Sequence, residues 1–339
     1  MTALRRILAV ACGALAAACV PASEALAAGA PVPSGQSGRV GAVAPGGSDR
    51  FTTRRTGRAA TLIVVTRVRD GRMLRAGRIA GRWTVPAVTV QGGTTGLSAD
   101  GRFLLLTRPV RNYPPQSTPL ALVRTRDLRV VRRVTLPGFF TVDAISPDGR
   151  WAYLIQYESQ DALNYRVRAL DTASGQLAAR DVVDPRSPGE QMGGLPFTRA
   201  MSRDGRWAYT LYGGGSETFI HALDTVGRTA ACIDLEMIPT ESDLSTVGLR
   251  VSGDGRHVFV RDKGELVATV DARTFKVSEP GERPAAAPPR AEPPSSSGSG
   301  SSDSGGGFPW LAVLLGAVGL GGAVLLAARA FAGRGRLAS

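Results

Sequence analysis

The chain has 339 residues, 20% of them charged, a formal net charge of +13, 2 histidines and 3 cysteines. Such a length buries an apolar core unaided, and so few cysteines exclude a disulfide-stapled scaffold. His221 and His257 have no carboxylate and nucleophile at a recognisable spacing, and no zinc-type cluster, phosphate-binding glycine loop or nucleophile elbow occurs, so no catalytic residue, metal or cofactor is expected.

Residues 1–28 read as a secretory signal: Arg5-Arg6, an Ala/Leu/Val-rich core, then Ala25-Leu26-Ala27 as a small-residue cleavage site. Its removal takes Cys12 and Cys19 and leaves Cys232 as a lone strand cysteine. Residues 29–58 are rich in Gly, Ser, Pro and Arg and read as a flexible lead-in, with ragged strands around 40–43 and 51–53.

Order begins at Thr61. Leu62–Val65 turns at Asp70-Gly71 and returns through Met73-Leu74, an outer hairpin, and Ile79–Ala87 echoes Leu136–Ala144. A phrase then recurs four times: Ser98-Ala-Asp-Gly-Arg-Phe103, Ser146-Pro-Asp-Gly-Arg-Trp151, Ser202-Arg-Asp-Gly-Arg-Trp207 and Ser252-Gly-Asp-Gly-Arg-His257. Asp-Gly is a strong turn signal, because glycine accepts positive φ and aspartate bonds its own following backbone. Short apolar runs such as Phe103–Leu106 and Trp151–Leu154 follow each copy and suit strands buried on both faces. A second hairpin comes after each, most clearly Tyr165–Leu177 and Phe219–Thr229, both carrying Leu-Asp-Thr before a glycine turn. Two hairpins per period of about fifty residues make a four-stranded propeller blade.

The Ser-Pro-Asp-Gly-Arg-Trp-x-Tyr phrase with its Leu-Asp-Thr hairpin resembles the TolB-like and YVTN-type bacterial β-propeller repeats, over roughly 60–280. The resemblance implies an all-β propeller over 59–280, of four to five four-stranded blades. Five are favoured, with an irregular first blade whose inner hairpin residues 38–58 supply; a four-bladed or open array is the rival. For function it implies a binding platform, an assembly factor or an occasional enzyme.

Residues 281–307 form a Pro-rich, then Gly/Ser-rich linker. Residues 308–328 carry no charge and, at about 1.5 Å per residue, cross the ~30 Å of a bilayer as one transmembrane helix. Arg329, Arg334 and Arg336 place the tail, 329–339, in the cytoplasm. The expected location is therefore the cell membrane, single-pass, with the propeller extracytoplasmic. Over 29–307 basic residues outnumber acidic ones 36 to 27. A basic exported domain favours lipid headgroups or wall polymers, and its topology disfavours nucleic acid. The expected partners are the membrane, through the C-terminal helix, and a protein or anionic envelope polymer.

In an up-and-down blade the first and third turns lie at one end, and the second turn and blade-to-blade link at the other. The tight turns thus share one face. The long connections Arg108–Pro119, Tyr157–Asn164, Asp184–Pro196, Tyr212–Glu217 and Leu235–Ser245 share the opposite one, where functional groups concentrate. The candidate binding residues are Arg111, Tyr113, Tyr157, Glu158, Tyr212 and Glu217; a blade-closing role competes for the tyrosines. These features predict a non-enzymatic binding module at the bacterial surface. The alternatives are an extracytoplasmic propeller hydrolase or lactonase, with acid/base groups meeting in the channel, and an envelope-assembly scaffold.

Overall fold

A computed structural model describes residues 41–110, 112–158, 165–189 and 193–281. The signal, linker, transmembrane and tail expectations, and Arg111, lie outside the described residues.

Five antiparallel sheets follow one another along the chain. The first holds β1 (Ala42–Val43), β2 (Asp49–Thr56), β3 (Ala60–Arg67) and β4 (Met73–Ala80). The second holds β5 (Phe103–Thr107), β6 (Ser117–Arg124) and β7 (Arg129–Pro137). The third comprises β8 (Phe139–Ile145), β9 (Trp151–Tyr157), β10 (Tyr165–Asp171) and β11 (Gln176–Leu177). The fourth comprises β12 (Leu195–Met201), β13 (Trp207–Gly213), β14 (Phe219–Asp224) and β15 (Thr229–Asp234). In the fifth are β16 (Val247–Val251), β17 (His257–Asp262), β18 (Glu265–Asp271) and β19 (Val277–Ser278). Strand order within every sheet is sequential, so each is a meander and the chain is a propeller-type array of five blades.

The repeated phrase explains itself atom by atom. In each copy the serine hydroxyl donates to the aspartate (2.5–2.7 Å) and accepts the N–H of the residue opening the next strand (2.8–3.0 Å). The aspartate accepts the arginine N–H at 2.9–3.0 Å, and the glycine sits at φ 72–75°. The Asp-Thr of the outer hairpin then locks onto the same turn. Thr172 donates to the Gly149 carbonyl and Thr225 to that of Gly205, while Arg150 and Arg206 grip Asp171 and Asp224. The Arg150 bond holds the Asp171 carboxyl down at about 2. In the fifth blade Ala272 replaces the threonine, and Arg256 is paired, at 3.9 Å, with Asp254 of its own turn rather than with the outer hairpin.

One expectation about the array is met and one corrected. Residues 42–56 form β1 and β2, so the segment 38–58 does supply the inner hairpin that completes the first sheet, and that part of 29–58 is not a flexible lead-in. The irregular blade is the second, not the first. Its inner strand is split, with Thr84 bridging Thr107 at one end and Leu97 bridging Leu104 at the other. Between them Val85–Thr95 loops out as a small hairpin, closed by the Ala87–Thr94 bridge and turning at Gln91-Gly92-Gly93. Pro86 cannot donate to a ladder, which ends the strand there.

That hairpin reaches three other blades. Val90 N–H donates to the Pro196 carbonyl, Thr94 Oγ1 to Gly41 and the Gln91 amide to Ser245. It therefore stands in the interior of the array, where inner strands face one another. Among the described residues, apolar clusters join the first sheet to the second, second to third, third to fourth and fourth to fifth. None joins first to fifth; the hairpin ties Gly41, before β1, to Ser245, before β16.

Candidate functional site

The long connections gather on one face, as the strand order requires, and that face is organised by aromatic rings. Phe139 opens β8, Tyr157 ends β9, Tyr165 opens β10, Tyr212 lies near the end of β13 and Phe219 opens β14. Each stands at the same end of its blade, so adjacent blades bring the rings into contact. Tyr113, on the β5–β6 connection, meets Phe139 edge-on at 5.5 Å, and Phe139 stacks on Tyr157 at 4.7 Å. The series continues through Tyr165 (6.0 Å) and Tyr212 (6.2 Å) to Phe219 (5.4 Å). Ring pairs of this geometry contribute about 0.5–1.5 kcal/mol each beyond burial.

The three tyrosines singled out from sequence are thus members of one ladder across three blades, with unequal access. Tyr212 is 1% exposed and belongs to the core; Tyr157 is half-buried; Tyr113 is 51% exposed. Burial pushes the Tyr157, Tyr165 and Tyr212 hydroxyls up, so all three stay neutral at any physiological pH. Only Tyr113 presents a broad ring surface to a partner. Exposed Glu158 pairs with Arg166 at 2.6 Å, and Arg166 and Arg168 both reach Asp181, making an ionic string along the outside of the third blade. Glu217 is exposed on the β13–β14 connection of the fourth blade.

Behind the ladder, between third and fourth blades, runs a buried polar row that sequence reading misses. Register places Arg199, Thr210, His221 and Cys232 side by side across β12–β15. From the opposing blade Asp143, a bulged residue in β8, ion-pairs with Arg199, which also donates to the Asp143 carbonyl and to Thr210 (2.8 Å). At the outer end Asp184 accepts the Cys232 N–H, and Arg186 binds both Asp184 and the Cys232 carbonyl. Asp143 Oδ2 and His221 Nε2 are buried without a hydrogen bond inside the protein. The signal available in sequence was weak: a charged residue in an otherwise apolar inner strand, Phe140-Thr-Val-Asp-Ala-Ile145.

Burial lowers the basicity of His221. The unfolded chain therefore takes up a proton before the folded one does, and stability falls as pH drops below the ordinary histidine value of about 6.5. We expect the urea midpoint to decline between pH 7 and pH 5, and His221→Gln, which cannot titrate, to flatten that decline. Parallel profiles for the two proteins would assign the titration elsewhere.

A second feature of the same face is a pocket of about 650 Å³ between the first and second blades. It is lined by Arg55 near the end of β2, Arg58 in the β2–β3 turn, Arg82 and Trp83 after β4, and Arg108 after β5.

No family model matches the sequence, and no curated protein matches it. Among solved structures the chain is similar to hydrazine synthase of Kuenenia stuttgartiensis, at 15% identity over 70% of this chain and 64% of that one, TM-score 0.40. It is also similar to a β-propeller domain from Myceliophteria thermophila, at 13% identity over 70% and 69%, TM-score 0.41. A third is TolB from Acinetobacter baumannii, at 15% identity over 68% and 56%, TM-score 0.33. The chain spans less than two thirds of the length of the first and third of these.

Proposed function

We propose that this propeller is a membrane-anchored, extracytoplasmic, non-enzymatic binding module that engages an envelope protein or polymer through its long-connection face. The observation that carries the reading is the aromatic ladder. A series of stacked, largely buried rings ends in one exposed tyrosine, on the same face as the charged residues Glu158, Arg166 and Glu217. A tyrosine held in place by its neighbours binds at low entropic cost, which is how anchor residues act in interfaces. The apolar segment 308–328 with its trailing arginines, and the signal-like residues 1–28, support the tethered, exported arrangement.

The test uses the full chain in its own membranes. A reporter active only outside the cytoplasm, inserted after Pro280, will be active, whereas one fused after Ser339 will be silent. Chemical cross-linking in intact cells will trap a partner, and Tyr113→Ala will reduce the trapped fraction at least about fivefold, the threshold of a contributing anchor. An active reporter at the C-terminus, or a yield indifferent to Tyr113, would refute the reading.

A further inference from the structure

We infer that the pocket between the first and second blades is a binding site for a phosphate-bearing anion with at least two adjacent phosphoryl groups. Four arginines line it: Arg55, Arg58, Arg82 and Arg108. Elsewhere in the described residues eleven arginines pair with carboxylates, among them Arg102, Arg150, Arg206 and Arg256 of the repeated turns. None of the four around the pocket does so. A solvated arginine face would be convex and laced with acids; this one is concave, without a carboxylate in its lining. Gathering four like charges around one hollow is unfavourable until an anion enters, and a bound anion converts that repulsion into attraction.

The walls are held in place. Arg82 Nε donates to the Arg58 carbonyl at 3.3 Å, linking the segment after β4 to the β2–β3 turn. The Arg108 guanidinium lies 5.3 Å over the Trp83 ring, in cation–π contact. Trp83 is buried: its backbone N–H donates to Thr61 Oγ1, its indole N–H to the Ala80 carbonyl, and Thr61 donates to Gly81. Arg82 and Arg108 are therefore set by contacts inside the protein, while exposed Arg55 and Arg58 are able to close over a ligand.

The residue type indicates the ligand. A guanidinium grips phosphate through two parallel N–H bonds, which a lysine cannot do. Four of them carry more positive charge than one phosphate neutralises and match the charge of two. The volume lies within the ordinary range for a small-molecule site, roughly 300–1,000 Å³. Trp83 is covered by Arg108, so the site reads charge rather than a stacked base. The shared chemistry is a diphosphate or neighbouring phosphodiesters, free or part of a polymer.

The experiment is calorimetric titration of the full-length protein in neutral detergent, with pyrophosphate, a short poly(glycerol phosphate) and sulfate as separate probes. Binding of either phosphate probe, at least tenfold tighter than sulfate, is expected; the tighter of the two identifies the source. Arg55→Gln with Arg58→Gln, both at exposed positions, will weaken it at least tenfold, as will Arg82→Gln with Arg108→Gln. Arg124→Ala, whose partner is Asp127 on the opposite face, will leave it unchanged. Equal affinity for sulfate, equal loss in the Arg124 variant, or binding untouched by the paired substitutions overturns the site.

Discussion

Truncating Asp143 to alanine will destabilise the fold by about 3–5 kcal/mol, as expected when one member of a buried ion pair is removed and the other stays behind. Arg199 is 7% exposed and Asp143 1%, so neither charge has water to fall back on. The arginine spends its donors on the Asp143 carboxylate, the Asp143 carbonyl and Thr210, and two of those three bonds cross from third blade to fourth. Arg199→Met alone will cost a similar amount. The double variant Asp143→Leu with Arg199→Met will recover most of the loss, because the desolvation of both charges disappears together. Denaturant unfolding followed by tryptophan fluorescence measures all three, Trp151 and Trp207 lying in the two blades concerned. A loss below about 1 kcal/mol for the single variants would mean that the pair behaves like a surface one.

The four Asp-Gly turns, alike in sequence, will respond unequally to alanine. All four glycines have positive φ, which costs an alanine about 1 kcal/mol wherever it is placed. Surroundings then divide them. A Cβ on Gly205 would run into the Cβ of Ala99 in the second blade's turn, which is tied to its backbone and cannot swing away. One on Gly149 would come within 2.6 Å of the Phe103 ring. Around Gly255 there is open space. Overpacking adds roughly 1–3 kcal/mol. Gly205→Ala is therefore expected to lose about 2–4 kcal/mol, Gly149→Ala somewhat less because a ring can tilt, and Gly255→Ala about 1 kcal/mol. Thermal or urea unfolding of the three single variants decides it; matched losses would show that the turns do not touch between blades.

The same contacts describe how the tight-turn end of the array is built. Asp100 N–H donates to the Pro147 carbonyl, and Gly205 approaches both Ala99 and Pro147. Second, third and fourth blades thus lean together through their turns, while the fifth blade's turn, with open space around Gly253 and Gly255, does not join them.

The turn chemistry was legible in the chain because it is local. The bonds internal to the repeated phrase each span five residues or fewer, so Ser-x-Asp-Gly-Arg specifies the same turn wherever it falls, and the recurrence declares the blades. The end of the blade at which the long connections gather follows from strand order alone, and Tyr113, Tyr157 and Tyr212 were visible there. Which of them a partner can reach was not. That depends on Tyr165 and Phe219 arriving from neighbouring strands and covering Tyr212, while Tyr113 meets the edge of the series at Phe139.

What the amino-acid order determined by itself is therefore the unit: a four-stranded meander pinned by side-chain-to-backbone bonds of short reach. What only the tertiary structure decided is everything between units. Arg199 meets Asp143 across 56 positions. The inner strand of the second blade yields to a hairpin that finds Gly41, Pro196 and Ser245. Four arginines from three separate segments surround one hollow. Such pairings carry no local pattern, because burial and charge act on whatever the packing of blades brings near, irrespective of distance along the chain.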